Sequence, residues 1–588
     1  MGEKAIVGDI TLSALNTMLS NARSEYNTAH RKIKRLDALD RNKLWDELNA
    51  KFPNYQLLPQ TNHVSYIKNN LIASIYSVGK QATLVATSEH DKDIIGNLNI
   101  ALEHIWANRS VGKYELLAGE RAALTNLGIT QVGWDNSIIT GCDANFEKGQ
   151  VVLKNIDPLK YYRDPYAESL DTASFVVTWE DYHKSVIEQN PLYKDEFKKV
   201  AGTTSGVSDA WYNNVDMVSQ TGANKPGYHR VYTWFVRHKE GIAEIHVLDM
   251  KTVLFKRDKI SPAMFPFAEL YCNIPAGDLI GVSEPAKIAD NSIVYNIMQS
   301  ILTTAEYRNQ RPPKFVSTQS GINVPAFIKY GADADKTFVV QGDASKAVHY
   351  HQFPQPSGLA QSNMAQLSND IQFVTGVDGR YTGRDTGSVI TTGGVNSMLD
   401  QVTLIDTTKI LLYEEYAKKL SKLIIFNYIT NSVLGRNYLV KDTGKVDSYS
   451  LKFVDFPRVP DNIVFDYEMN ISSEMPKNKA RLAATADAMM EKQMQYQGAG
   501  IEVDLITPDE WLMMQDIPNK EYFQERMNLQ RTQNWNNIVA QAVTQYAALV
   551  DKGIPSEQAI NATAQTMQAQ QLGQTPDLNA IASNTQMF

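Results

Sequence analysis

The sequence contains little cysteine and no long apolar run. Its two cysteines, Cys142 and Cys272, lie far apart and without metal-ligand spacing, which favours a reducing compartment and argues against a disulfide framework. No run of 18 apolar residues could cross a bilayer, and no signal peptide opens the chain. We therefore expect a protein that is made in the cytoplasm and that contacts no membrane.

Excess positive charge is also missing. The formal net charge is −8 over 588 residues, so the chain is not a general nucleic-acid binder that relies on a basic surface. Hydrophobic content of 43% and charged content of 21% indicate an ordered protein. The length predicts three or four domains, although an elongated subunit of a larger assembly fits it equally well.

Motifs of catalysis are absent as well. The sequence has no P-loop, no strand-linked GxGxxG, no nucleophile elbow, no HExxH, no paired CxxC and no EF-hand loop. Gly383 to Ser388 resembles a P-loop only superficially, because it lacks the lysine. We expect a protein that is not an enzyme and that needs no cofactor or metal. The enzymatic alternative, a nuclease or hydrolase, would need a carboxylate cluster that the sequence does not display.

Three local patterns permit a functional and a structural interpretation. The basic run from His30 to Arg35 could contact nucleic acid, but a solvated helix face paired with Asp37, Asp40 and Glu47 is favoured. Asp157-Pro158 and Asp164-Pro165 could form a carboxylate site, but turn chemistry explains both aspartates. His349 and His351 could supply half of a metal site, but no carboxylate or cysteine lies nearby in sequence to complete it.

The stretch from Ser283 to Val433 organises the chain. Ser283-Glu284-Pro285 is a helix start, and apolar residues recur three or four apart as far as Arg311-Pro312-Pro313, where proline ends the helix. Small uncharged polar residues fill its other side: Asn291, Ser292, Asn296, Gln299 and Ser300. Freely solvated faces usually carry Lys and Glu, so we interpret this polar face as one that meets another subunit.

Two further helices follow within that stretch. The spacing of apolar residues predicts a helix from Ser357 to Thr375 and a longer one from Val395 to about Val433. Glycines between Gly376 and Gly394 break the helical pattern between them. A helix of about 39 residues is roughly 58 Å long, more than one compact core needs.

Elsewhere the patterns predict a mainly helical α+β fold. Helices are expected at 10–50, 64–78, 91–107, 113–127, 477–497, 508–514 and 520–550. Strands are expected at 129–134, 150–156, 173–179, 266–274, 314–317, 337–341, 347–353, 449–456 and 464–470, with a hairpin formed by 228–238 and 242–255.

This order of elements resembles the portal proteins of tailed bacteriophages. The resemblance rests on Ile156-Asp157-Pro158, on Arg163-Asp164-Pro165, on the helix that begins at Pro285, and on Phe373 to Val377 before the glycine-rich loop. Leu505 to Pro508 and Asp516-Ile517-Pro518 are similar to portals of short-tailed phages. The likeness covers nearly the whole chain, and its weight comes from the order of weak motifs.

The resemblance implies an elongated subunit with wing, stem, clip and crown. Its expected divisions are a wing at 1–282, a first stem helix at 283–310, a clip at 311–356, a second stem helix at 357–376, a tunnel loop at 377–394, a long wing helix with following strands at 395–474, and a helical crown with a Gln-rich tail at 475–588. It also implies a twelve-membered ring in the virion, at one capsid vertex. Terminase would pump double-stranded DNA through this ring into the capsid, which is built of major capsid protein, and the genome would later be ejected past the tail adaptor.

The resemblance also implies site residues. In the tunnel loop these are Gly379, Arg380, Tyr381, Arg384 and Gly387. Arg380 and Arg384 would contact phosphates as the DNA passes, or they would only pair with the neighbouring Asp378 and Asp385. In the clip, Arg311, Lys314 and Phe315 would contact the terminase or the adaptor, or they would belong to a solvated turn. The alternative function is another non-enzymatic head-tail connector or a virion scaffolding subunit.

Overall fold

The computed structural model describes most of the chain. The described residues are 6–48, 56–76, 82–88, 91–108, 110–140, 147–199, 227–330, 337–350, 358–375, 392–433, 435–441, 449–459, 465–468, 476–498, 505–515, 520–552, 559 and 563. They divide into two compact units, Met1–Arg436 with Phe453–Met475, and Asn437–Lys452 with Pro476–Phe588. The fold is α+β and mainly helical, as predicted.

Helices make up most of the first unit. They are α1 Leu12–Asp40, α2 Leu44–Leu48, α3 His63–Leu71, α4 Lys92–Asn108, α5 Val111–Thr125, α6 Lys184–Gln189, α7 Lys194–Lys198, α8 Glu284–Gln310, α9 Val324–Tyr330, α10 Ala344–Ala347, α11 Gly358–Thr375 and α12 Thr392–Asn431. A π-helical turn, Ile72–Tyr76, continues α3.

The strands among the described residues form two larger antiparallel sheets and three small ones. They are β1 Thr83–Ala86, β2 Leu127–Thr140, β3 Glu147–Ile156, β4 Tyr161–Arg163, β5 Phe175–His183, β6 Tyr228–His238, β7 Gly241–Leu248, β8 Thr252–Arg257, β9 Phe267–Tyr271, β10 Lys314–Val316, β11 Val348–Tyr350, β12 Arg436–Lys441, β13 Tyr449–Val454 and β14 Phe465–Glu468. The sheet orders are β4-β5-β6-β7-β8, β3-β2-β9, β1-β14, β10-β11 and β12-β13.

The main core of the first unit lies where α1 packs against these sheets. α1 buries Leu15, Leu19 and Tyr26, and the five-stranded sheet contributes Trp234 and Ile245 among others. Each fully buried side chain of this kind contributes about 1.5 to 3 kcal/mol. The apolar periodicity of α1 and the alternation on the strands therefore serve one shared core.

Both Asp-Pro pairs lie in turns, as the turn interpretation predicts. Asp157 accepts a hydrogen bond from the Leu159 N–H at 3.1 Å and so caps a short 3-10 turn. Asp164 accepts from the Tyr166 N–H at 3.1 Å and the Ser174 N–H at 3.2 Å. These carboxylates stabilise backbone turns.

The basic run in α1 is partly buried, which corrects the predicted solvated face. His30 and Lys34 are 3% and 8% exposed, and burial lowers the pKa of His30 to about 4. The expected acidic partners are bound elsewhere, since Asp37 pairs with Arg121 at 2.7 Å and Asp40 with Lys68 at 2.8 Å. The spacing of charges along one helix did not reveal that other helices supply these partners.

A buried asparagine fixes where α8 begins. Asn126, which is 0% exposed, ends α5 in the left-handed conformation. Its amide donates to the carbonyls of Asn273 and Ile280 at 2.9 and 2.7 Å. Ser283 then caps α8 and also donates to the Leu124 carbonyl at 2.7 Å. The start of α8 is therefore tied to the end of α5.

The polar side of α8 is covered by the chain itself. Ser292, Asn296, Ser300 and Thr304 repeat every four residues and are all buried. The segment 56–62, which we call the strap, lies across them. Asn296 accepts from the Thr61 N–H at 2.7 Å and donates to the Thr61 carbonyl at 3.1 Å.

Two further residues of α8 hold the other end of the strap. Thr304 accepts from the Leu57 N–H at 2.9 Å, and Ser300 donates to the Leu57 carbonyl. The interpretation of this face as a contact with another subunit is thus wrong. The small polar residues correctly indicated that this face of α8 is buried. The segment that buries it is the strap, which lies more than 200 residues away in sequence.

The observed elements differ from the predicted ones at several places, including the expected helix at 10–50, which divides into α1 and α2. The second arm of the hairpin divides into β7 and β8, because Asp249 and Met250 adopt positive φ angles in a turn. Residues 337–341 do not form a strand; Phe338 and Val340 alternate inward and pack on a small core instead. The short helix α9 was not predicted.

The second unit contains the predicted C-terminal helices. They are α13 Pro476–Gly498, α14 Pro508–Met514 and α15 Lys520–Asp551. Thr507 and Glu510 form a capping box at the start of α14. Gln493 of α13 accepts from the Leu505 and Ile506 N–H groups, both at 2.9 Å.

Removal of the Thr304 hydroxyl tests the strap. Thr304→Ala leaves the Leu57 N–H without its acceptor, so we expect the strap to open more readily by about 1 kcal/mol, or about fivefold. Hydrogen exchange of a peptide covering residues 56–62 measures this opening.

The matched control is Thr303→Ala, which replaces the exposed neighbour on the same helix. Both variants gain the same helix propensity, so the difference between them isolates the hydrogen bond. Equal exchange in the two variants would contradict the described role of Thr304.

Candidate functional site

Helices α8 and α11 form a pair with a small unit inserted between them. Gln361, near the start of α11, lines the same groove as Tyr307 and Gln310 at the end of α8. The pair is therefore antiparallel, about 40 Å and about 27 Å long. The end of α8 and the start of α11 thus lie at the same end of the pair, and the described parts of the segment between them are 311–330 and 337–350.

The exposed side of this pair carries apolar residues. Val294 and Ile301 of α8 are 46% and 53% exposed, and Leu359 and Val374 of α11 are 73% and 43% exposed. Val294 and Ile301 stand seven residues apart, on one face of the helix. The helix pair thus buries a polar face within the chain and leaves apolar side chains outside, the reverse of the predicted arrangement.

The unit between the two helices has its own small core. Ile322, Phe327 and Ala347 are buried together, and β10 pairs with β11 beside them. The ammonium group of Lys314 lies 5.2 Å from the ring centroid of Phe327 and 5.8 Å from that of Tyr350. Lys314 is therefore exposed to solvent, and it also packs against the aromatic rings at the edge of this core.

The three residues predicted for the clip lie at the start of this unit. The Arg311 guanidinium donates to the Tyr307 hydroxyl at 3.1 Å and lies 5.2 Å from the centroid of its ring. Phe315 lies next to Lys314 in β10, and its side chain is 58% exposed. Arg311 and Lys314 thus contact aromatic rings of the chain, and more than half of the Phe315 side chain is exposed.

The residues predicted for the tunnel loop, Gly379, Arg380, Tyr381, Arg384 and Gly387, lie outside the described residues. The helix that follows begins at Thr392 and not at Val395, so Gly393 and Gly394 belong to its first turn. Glycine is tolerated there because the first N–H groups of a helix have no intrahelical acceptor in any case.

Aromatic residues anchor the C-terminal part of α12. Tyr416 is 1% exposed, and its hydroxyl lies 2.8 Å from that of Thr130 on β2. Tyr428 packs edge-on against Trp134 with ring centroids 5.2 Å apart. The helix has 40 residues and is about 60 Å long, and these contacts hold its C-terminal part in the first unit.

Polar groups in a described cleft of the first unit are paired with one another. In this cleft between β3 and the five-stranded sheet, Glu180 is 2.5 Å from Lys154, and Glu244 is 3.1 Å from His246. Hydrogen bonds from these partners lower the pKa of both carboxyl groups against the effect of burial. Such acids stay ionised and structural at neutral pH and do not form an acid and base pair with separated pKa values.

A metal site is not found among the described residues, where no three histidine, cysteine or acidic side chains converge. His229 and His246 lie beside Asp249 and Glu244. His349 is on β11, and His351 is outside the described residues. Nor does any described helix have the length and apolar character to cross a membrane.

A family comparison now bears on this arrangement. Residues 124–404 match the family model described as phage SU10 portal protein. The resemblance to tailed-phage portal proteins is confirmed. The matched segment of this portal-like chain includes the α8–α11 pair, the inserted unit and the beginning of α12. None of the curated proteins compared with the chain matches it.

Two phenylalanines of the inserted unit give a matched pair of variants. Phe327 is 8% exposed and Phe315 is 58% exposed. We expect Phe327→Ala to destabilise the unit by about 3 kcal/mol through cavity formation, and Phe315→Ala to change its stability by less than about 0.5 kcal/mol.

Hydrogen exchange of residues 314–350 measures both changes, because it reports local opening where a chain of several units does not unfold in two states. A large loss of protection in Phe315→Ala would show that this side chain supports the unit rather than faces outward.

Proposed function

We propose that this chain is the subunit of a phage portal, a ring through which double-stranded DNA enters and leaves the capsid. The carrying observation is the antiparallel α8–α11 pair, with a small unit inserted at one end and apolar side chains left exposed along both helices. The family match over residues 124–404 supports the same function.

The exposed apolar residues suit packing between neighbouring copies. A helix pair that leaves Val294 and Ile301 of α8 and Leu359 of α11 exposed offers apolar side chains on both helices to neighbouring copies. Such a heterologous contact closes into a ring when its rotation divides the full circle. Twelve copies, the number implied by the resemblance, would form one vertex of the virion.

The charge of the chain is compatible with a DNA conduit. A wall rich in lysine and arginine would hold phosphates strongly and in a salt-dependent way. A chain of net charge −8 binds passing DNA weakly, so the duplex can slide. Arg380 and Arg384 in the tunnel loop would then provide a local contact with phosphates.

The divisions of the chain follow from this function. Residues 1–282 would form the wing, 283–310 and 357–376 the stem, 311–356 the clip, and the residues before Thr392 the tunnel loop. The helix and strands up to residue 474 would belong to the wing, and residues 475–588 would form the crown. Phe315, exposed on the clip, would contact the terminase during packaging and the tail adaptor later, with Arg311 and Lys314 beside it.

Negative-stain images of the purified protein test the proposal. We expect end-on views of closed rings with about twelve subunits and a channel wide enough for a DNA duplex, because the stem pairs would pack side by side. Filaments, shells or rings without a channel would favour the alternative of a scaffolding subunit or a different connector.

Replacement of Arg380 and Arg384 by glutamine tests the tunnel loop. We expect rings of unchanged subunit number and a several-fold loss of packaged or retained DNA, because the phosphate contacts are removed. A packaging assay with purified capsids, followed by nuclease protection, measures the retained DNA.

A suitable control is Arg458→Gln, since Arg458 is an exposed arginine already 3.0 Å from Asp455. An equal loss of DNA in this control would assign the effect to net charge. If the loop variant failed to form rings, the loop would be part of the subunit interface and not a DNA contact.

A further inference from the structure

A glutamate is buried without compensation in the middle of α5. Glu115 is 0% exposed, and neither of its carboxyl oxygens makes a hydrogen bond of standard geometry. An ionised carboxylate in such a place is strongly disfavoured, because burial removes its hydration shell. The site therefore holds this side chain in its neutral form.

The long helix α12 faces this carboxyl group. Tyr413 and Tyr416 of α12 lie close enough that a negative charge on Glu115 raises the pKa of both hydroxyl groups, in addition to the larger effect of burial. The indole of Trp106, on α4, faces Glu115 from another side. Glu115 is thus enclosed by aromatic groups where α4, α5 and α12 meet.

The π-helical turn Ile72–Tyr76 packs into the same junction. Tyr76 lies edge-on to Tyr413, with ring centroids 5.5 Å apart and an interplanar angle of 87°. Gly119, one turn after Glu115, permits this approach, because a Cβ atom there would lie 2.6 Å from Tyr76. Single π-helical turns are frequent at functional positions in helices.

Ion pairs occupy charged groups on several of the surrounding elements. The ion pairs are Asp37 of α1 with Arg121, Lys68 of α3 with Asp40 and Glu120, Glu284 of α8 with Lys287 and Lys409, Lys154 of β3 with Glu180, and Glu269 of β9 with Arg163. β2 presents the uncharged Thr130, whose hydroxyl contacts Tyr416. Charge on Glu115 is therefore balanced by a proton rather than by a cation.

We propose that Glu115 is a proton-dependent latch between α5 and α12. With its proton, the carboxyl group is tolerated in the junction of α4, α5 and α12, and the junction stays closed. Without the proton, the charge is relieved by opening the junction to water, so the latch favours release of α12. The latch concerns the subunit itself and does not depend on the proposed portal function.

The direction of the pH effect follows from the same burial. Burial raises the pKa of Glu115 to about 8, and the Trp106 indole offsets only part of this rise. In the closed state Glu115 therefore keeps its proton up to a higher pH. In the open state it releases the proton once the pH exceeds its ordinary pKa of 4.5. Between about pH 5 and pH 8, opening becomes about tenfold more favourable for each pH unit. Above the pKa in the closed state the dependence levels off.

Hydrogen exchange of the full-length protein at pH 5.5, 6.5 and 7.5 tests the latch. After correction for intrinsic exchange rates, we expect protection of residues 408–431 to fall about tenfold per pH unit. In Glu115→Gln, which imitates the protonated side chain at every pH, protection should not depend on pH in this way. Glu120→Gln, the control on the same helix, should behave like the unchanged protein.

Two results would overturn the proposal. One is that the hydrogen-exchange protection of α12 depends on pH in Glu115→Gln as it does in the unchanged protein. The other is hydrogen-exchange protection in β6 and β7 that depends on pH as strongly as in α12, since this would indicate opening of the whole unit rather than of one junction. If Glu115→Gln fails to fold, the unchanged protein still tests the proposal. A decrease of hydrogen-exchange protection with pH that is confined to α12, and absent from β6 and β7, supports the latch.

Discussion

The side chain of Asn126 holds together the parts of the first unit on which the long helices depend. It ends α5 in a left-handed conformation and binds the backbone of Asn273 and Ile280 from within the core. Gly281 must lack a side chain beside it, because a Cβ atom there would lie 2.6 Å from the Asn126 amide. The chain consequently reaches Ser283 at a fixed place, and α8 begins in a direction set by α5.

Helix α5 thereby supports two long helices of the first unit, α8 and α12. Its C-terminal end fixes α8 through the Ser283 hydroxyl and the Leu124 carbonyl, and its middle faces α12 through Glu115, Tyr413 and Tyr416. The first contact is a set of satisfied hydrogen bonds. The second contains a buried acid that burial penalises when it is charged. The two long helices are thus held with different sensitivity to pH.

Much of the secondary structure was predictable from sequence, because helix and strand periods are local properties. Ser283 and Pro285 specified the start of α8, and apolar spacing specified α11 and most of α12. What covers a face is not a local property. The polar residues of α8 correctly indicated a covered face, but the partner is the strap at 56–62, and no spacing within α8 identifies it. Glu115 was missed for the same reason, since a single acid in a helix gives no sign of its burial.

The two sides of α8 differ in how easily each can be separated from its partner. The strap is held by neutral hydrogen bonds, such as that from the Leu57 N–H to Thr304, and water can replace these at a net cost of only about 1 kcal/mol each. The exposed side carries Val294 and Ile301, and apolar side chains once buried by a partner resist return to water more strongly. A subunit built in this way could loosen contacts within itself while it keeps contacts with its neighbours. In the proposed ring, which would have to remain closed while DNA passes through it, this order of stability would keep neighbouring subunits together.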